Sequence, residues 1–292
     1  RGDAARAKGA KVYDGPGWVS LACSTFPLTT QKEPSGKGEQ DPAVVYDPAK
    51  AWGGADAYAW LCKAYTDSAA AATALSAGQK TYNNAINWSD RNGPISPTMA
   101  ERAKAAGKAA GVVTTVQWSH ATPAGFSHAR NAERDNYEEI ANAMLDGGVL
   151  DVIMGAGNPD FDNDGRPSAK RRDCKYVGGE ATWRALEAAR AKGGATHRGF
   201  RPVSTKAEFE ALVSGPAPAR VLGTAQVGTT LRQARSGKKK DDPAEDTPVN
   251  PDVPDLPLML RAAINVLDDS PEGFFLLVEG GAVDWANHSN QA

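Results

Sequence analysis

Apolar residues recur along the chain with two spacings. Steps of three and four are clearest from Leu256, where Met259, Leu260, Ala263, Ile264 and Leu267 fall on one face of a helix. Residues 134–145 (RDNYEEIANAML) and 180–191 also read as helices. An alanine-rich stretch, DSAAAATALSAG, favours helix by composition, with Asp67 and Ser68 at its start and Gly78 able to end it. Short apolar runs at 111–116 (GVVTTV), 149–155 (VLDVIMG), 219–222 and 273–278 (GFFLLV) predict strands, the last of them buried. Helices alternating with strands predict an α/β fold whose mostly parallel central sheet is flanked by crossover helices. Residues 1–60 carry neither period; stretches such as TTQKEPSGKGEQDP predict irregular surface structure, with order beginning near Trp60. Residues 223–254, rich in opposed charge and proline, predict a solvated loop.

A chain of 292 residues can bury a full core, and a single domain over 1–292 is expected. The formal net charge of -2 excludes a generally basic surface, so no nucleic-acid-specific partner is expected. A small phosphate-bearing partner would need local positive charge instead. The apolar runs are too short to span a bilayer. The chain opens at Arg1 without a signal-like segment and closes on NHSNQA inside what reads as a helix, so a fragment incomplete at both termini is expected. Cys23, Cys62 and Cys174 form no metal-finger spacing, and both one disulfide with a spare thiol and three buried thiols fit the count.

Three segments carry candidate chemistry. In TDSAAAATAL, Ser68 stands at a helix start, where backbone N–H groups and the helix dipole favour an anion; Asp and Ser are also ordinary helix caps. In SHATPAGFSHARNAERD, His120 and Thr122 lie two apart in a stretch read as extended, hence on one side of it, and Arg134 opens the following helix with a guanidinium suited to two phosphate oxygens. His128 reads as structural and His197 as exposed. In VEGGAVDWANH, Glu279 ends a strand, and Asp284 and His288, four apart on a helix, share a face and can bind one metal. A carboxylate with imidazole suits zinc, and a carboxylate near a threonine oxygen suits magnesium. A capping aspartate beside a surface histidine would give the same spacing.

These segments, in this order, resemble the alkaline phosphatase family of bacterial type, and the resemblance runs from about Tyr65 to the end of the chain, including KTYN and VIMGAGNPDFD. It implies an alkaline-phosphatase-like fold and hydrolysis of small phosphate monoesters through a phosphoserine, with two zinc ions and one magnesium. By that resemblance Ser68 is the nucleophile, Asp67 holds the phosphate-binding arginine, and Arg134 is that arginine. Thr122 and Glu279 fall on magnesium ligands, and Asp284 and His288 on ligands of one zinc. His120 and Trp285 sit at the metal-adjacent positions where members vary. Periplasmic or secreted localisation and a homodimer are implied on the same ground.

The sequence departs from the family in lacking an early Ile-Gly-Asp-Gly-Met-like strand end and the later Asp-His pair and final His, so a non-catalytic fragment or degenerate relative is the alternative. A related phosphodiesterase or sulfatase fits less well, because the HATP and VEGG segments are phosphatase-like. Asp160, Asp162 and Asp164 resemble the start of a calcium loop, but Arg171 stands at its twelfth position, where the loop needs an acid.

Overall fold

The computed structural model describes residues 15–19, 25–237, 242–243 and 246–291; Cys23 lies outside them. Strands β1 (Ala109–Gln117), β2 (Val152–Ala156), β3 (Arg201–Val203), β4 (Val221–Thr224) and β5 (Phe274–Glu279) form one sheet in the order β3-β4-β2-β1-β5. Every pairing in it is parallel. Side chains alternate across a strand, so β1 sends Val112 into one core layer and Val113 into the other. The first layer packs Ile153 and Leu222 against Ile140, Met144, Trp183 and Leu186. The second packs Val152, Met154 and Val221 against Met259, Ala262 and Val266. Helices therefore cover both faces, which is why β2 is apolar at every position and buried throughout.

The run at 273–278 departs from expectation. It forms β5, but among the described residues β5 pairs only with β1, and Phe274 and Val278 are 38% and 40% exposed. An edge strand lacks the neighbour that would bury its outer side.

The described part of residues 1–60 is less irregular than its composition predicts. Asp47 caps α1 (Pro48–Trp52), whose proline occupies the first turn, and α2 (Ala57–Ala64) follows. Both are too short for a period to show. Then come α3 (Ser68–Ala77), α4 (Met99–Ala105) and α5 (Ala121–Phe126). The α4 start is fixed by a capping box between Thr98 and Glu101. Helix α6 (Tyr137–Leu145) begins later than its pattern suggests: Arg134 lies in the turn before it, with its N–H bonded to the Asn84 carbonyl at 2.8 Å. Next are α7 (Gly179–Ala191), α8 (Lys206–Glu210), α9 (Leu256–Leu267) and α10 (Gly281–His288). Between β4 and α9 the described residues form turns, yet Ala225, Val227, Leu231 and Val253 enter the second core layer. These apolar anchors tie down a segment that charge alone would leave in solvent.

Cys62 is exposed and Cys174 buried, and both are free thiols. His197 is half-buried in a turn where it exchanges backbone hydrogen bonds with Phe200, because its ring is partly covered rather than exposed. His128 is structural: its Nε2 meets the Asp146 carbonyl at 2.8 Å. Burial holds its pKa below the usual histidine value, with Arg130 acting in the same direction and the Asp146 and Ala143 carbonyls and Glu101 opposing it. The unfolded chain therefore takes up a proton at pH values where the folded ring does not. Stability is expected to fall as pH drops below about 6.5. Urea denaturation at pH 7.5 and 5 is expected to show a smaller pH dependence for His128→Gln than for the natural chain; equal slopes would exclude His128 as the source.

Candidate active site

The Asp67 side chain caps α3, accepting the Ala70 N–H through Oδ1 at 2.8 Å, and Gly78, at φ 72°, ends the helix. Aspartate does the capping, so the Ser68 hydroxyl is left for other work at an exposed helix start. The small residues of α3 let α5 approach closely: a Cβ on Gly125 would lie 2.6 Å from the Ala72 Cβ. Gly125→Val is expected to force these helices apart and lower stability by about 1–3 kcal/mol, read as a shift in denaturant midpoint. An unchanged midpoint would mean that the contact is not tight.

Arg134 reaches this helix start from a turn. Its Nη1 donates to Ser68 Oγ at 2.7 Å and to Asp67 Oδ2 at 3.1 Å. Asp67 Oδ2 also accepts the Asn84 N–H at 2.9 Å, and Asn83 Oδ1 accepts the Asp67 N–H at 2.9 Å. A guanidinium and a helix N-terminus thus converge on one hydroxyl. Both stabilise its deprotonated form and an arriving anion.

The second half of the site lies at the carboxyl ends of adjacent strands β1 and β5. Their register sets Thr114 opposite Glu279, and Thr114 Oγ1 donates to Glu279 Oε2 at 2.5 Å. Burial raises the Glu279 pKa, hydrogen bonds from Thr114 and Thr122 pull it down, and the charge of Asp284 raises it again. Helix α10 is anchored by the Ala282 N–H on Thr115 Oγ1 at 2.9 Å. It places His288 Nε2 3.6 Å from Asp284 Oδ2, so the two do share a face.

His120 and Thr122 do not lie in an extended stretch. His120 is the N-cap of α5 and Thr122 is in its first turn, because the chain turns straight from β1 into helix. His120 stacks on Tyr137, with ring centroids 5.8 Å apart, and meets Trp285 edge-on at 5.6 Å. Burial first, then the charge of Arg134, lowers its pKa to about 4, against an opposing contribution from Asp135. The ring is neutral at pH 7.

The donors suit cations. Glu279 is a half-buried carboxylate whose charged neighbour is another carboxylate, and its hydroxyl partners match a hard ion. Asp284 with His288 matches a zinc-type donor pair. The first set is one carboxylate with two hydroxyls and the second a carboxylate with an imidazole; among the described residues no three His, Cys, Asp or Glu stand close enough together to hold a metal. The calcium-like stretch has its carboxylates committed elsewhere: Asp160 accepts from Arg171 and Trp183, Asp162 from the Asp164 and Arg166 amides, and Asp164 from Ser236.

Sequence reasoning missed Asn83, Asn84, Thr114 and Tyr137. Only the KTYN stretch hinted at Asn83. Thr114 could not be found without the strand register.

The arrangement is that of an α/β protein whose candidate site lies outside the carboxyl ends of its parallel strands, where such sheets commonly bind ligands. The alkaline phosphatase family model matches residues 42–292, and the chain belongs to that family. Alkaline phosphatase 4 of Bacillus subtilis is 34% identical over 230 residues, a stretch covering 77% of this chain and 41% of that protein. The Escherichia coli alkaline phosphatase is 32% identical over 249 residues, covering 77% and 50%. The fold is similar to that of a cold-active alkaline phosphatase from a Shewanella species, with TM-score 0.54 and 30% identity over 77% of this chain and 45% of the other. It is also similar to a TAB5 alkaline phosphatase variant with magnesium bound in its M3 site, with TM-score 0.53 and 26% identity over 77% and 54%. The chain thus spans about half the length of these relatives.

Proposed function

We propose that the protein hydrolyses small phosphate monoesters through a phosphoseryl intermediate on Ser68, with two zinc ions and one magnesium in the complete site. The observation that carries this reading is the single guanidinium nitrogen of Arg134 bonded to both Ser68 Oγ and Asp67 Oδ2. Ser68 Oγ, its proton released to solvent, attacks phosphorus; the bond to the leaving oxygen breaks, and that oxygen takes a proton from solvent. Water then cleaves the phosphoserine, and Ser68 Oγ regains its proton. Arg134 holds the phosphoryl oxygens, where charge is spread in the transition state. Asp67 keeps the guanidinium from swinging away. Thr122 and Glu279 would hold magnesium, and Asp284 and His288 a zinc. The metals supply charge stabilisation and lower the pKa of coordinated oxygen.

No described helix is long and apolar enough to cross a membrane. Periplasmic or secreted localisation and a homodimer belong to this proposal through the family resemblance. The incomplete donor sets favour a second reading, a non-catalytic or binding-only member of the family. Metal analysis together with turnover of an aryl phosphate by the intact protein separates the two. Near-stoichiometric zinc with turnover supports the enzyme, whereas a folded protein without either overturns it.

A further inference from the structure

Resting on the phosphatase reading of Ser68 and Arg134, we infer that Asn83 is a positioning residue that acts through Asp67 on the phosphate grip of Arg134. Asn83 is 8% exposed, and both polar atoms of its amide are committed to the nucleophile turn. Oδ1 accepts the Asp67 N–H at 2.9 Å, and Nδ2 donates to the Tyr65 carbonyl at 3.1 Å. The next residue completes the link through its backbone: the Asn84 N–H donates to Asp67 Oδ2, and the Asn84 carbonyl accepts the Arg134 N–H. Arg134 is thereby held at its main chain by Asn84 and at its guanidinium by a carboxylate that Asn83 and Asn84 orient.

The conformation here is costly. Asn84 sits at φ 86°, and its Nδ2 is buried without a hydrogen-bond partner. Left-handed backbone at a non-glycine residue and an unmet amide persist where the surroundings over-determine them. The Asn84 backbone contacts to Asp67 and Arg134 supply that constraint. The surrounding segment is stitched to the arginine loop without help from Asn83. The Tyr82 hydroxyl donates to the Ala132 carbonyl at 2.7 Å, and Ile86 and Asn131 exchange both backbone hydrogen bonds at 2.9 Å. Removing the Asn83 side chain therefore frees the turn at residues 65–67 while the ribbon beside it stays in place.

The test is a double-mutant cycle in the intact, metal-loaded protein, with inorganic phosphate as a competitive inhibitor and an aryl phosphate as substrate. Asn83→Ala is expected to weaken phosphate inhibition about tenfold and to lower kcat/KM about ten- to hundredfold. In the Arg134→Ala background the same change is expected to cost less than about threefold, because the group being oriented is gone. A role confined to fold stability would cost the same factor in both backgrounds, and that result, or no effect of Asn83→Ala, overturns the inference. Arg134→Ala without effect on phosphate affinity or turnover would sink the site reading and the inference with it. If Asn83→Ala does not fold, Asn83→Ser, which keeps a polar group but falls short of both partners, carries the same comparison.

Discussion

Ser68→Ala is expected to lower kcat/KM for an aryl phosphate at least about a thousandfold, roughly 4 kcal/mol of transition-state stabilisation. The hydroxyl is an exposed nucleophilic atom placed against Arg134, and the next side chains on the first turn of α3 cannot replace it, since they are alanines. The loss is expected in turnover rather than in phosphate capture. Arg134 remains tied to Asp67 at 3.1 Å after the hydroxyl is removed, and the helix keeps its aspartate cap. Inhibition by inorganic phosphate is therefore expected to persist in the variant, while acid-quenched samples no longer contain phosphoserine. Stability is expected to change little, because Ser68 is exposed. Turnover undiminished by the substitution would remove Ser68 from the mechanism.

Trp118→Ala is expected to cost about 3–5 kcal/mol of stability, a large share of the roughly 5–15 kcal/mol typical of a folded domain. The indole is fully buried just beyond the end of β1, and its Nε1 donates to Thr224 Oγ1 at 3.1 Å, joining β1 to the end of β4. Its Cβ closes against Gly155, where an added methyl would lie 3.0 Å away. Truncation leaves a cavity between three strand ends and a buried threonine hydroxyl without its donor. His120 lies two residues further on, so the same cavity undermines the turn that delivers the site. Urea denaturation measures the loss, and Trp118→Phe is expected to recover part of it by filling volume without the hydrogen bond. A cost below about 1 kcal/mol for the alanine variant would mean that the core collapses into the space.

Local signals were readable where one segment contains its own cause. The α3 limits follow from an aspartate cap, an alanine run and a glycine able to take positive φ. The pairing of Asp284 with His288 follows from four-residue spacing on a helix. Signals failed where the cause lay elsewhere in the chain. Arg134 reads as helical from its neighbours, but its N–H is taken by Asn84, so α6 starts three residues later. His120 and Thr122 read as extended, yet the chain turns into α5 there. The apolar character of β5 predicts burial, but exposure depends on how many strands flank it.

The sequence by itself determined the α/β alternation, the family, and the candidate residues Ser68, Arg134, Glu279, Asp284 and His288, because period, capping chemistry and short motifs are local properties. It also raised Ser68 as no more than a helix-start serine until the other segments joined it. Only the tertiary structure decided that Arg134, 66 residues away, bonds that serine and its aspartate, and that Thr114 faces Glu279 across a strand pair. Those contacts arise where parallel register and the turn around Asp67 bring distant segments together. Such distances are set by packing between segments and have no period along the chain.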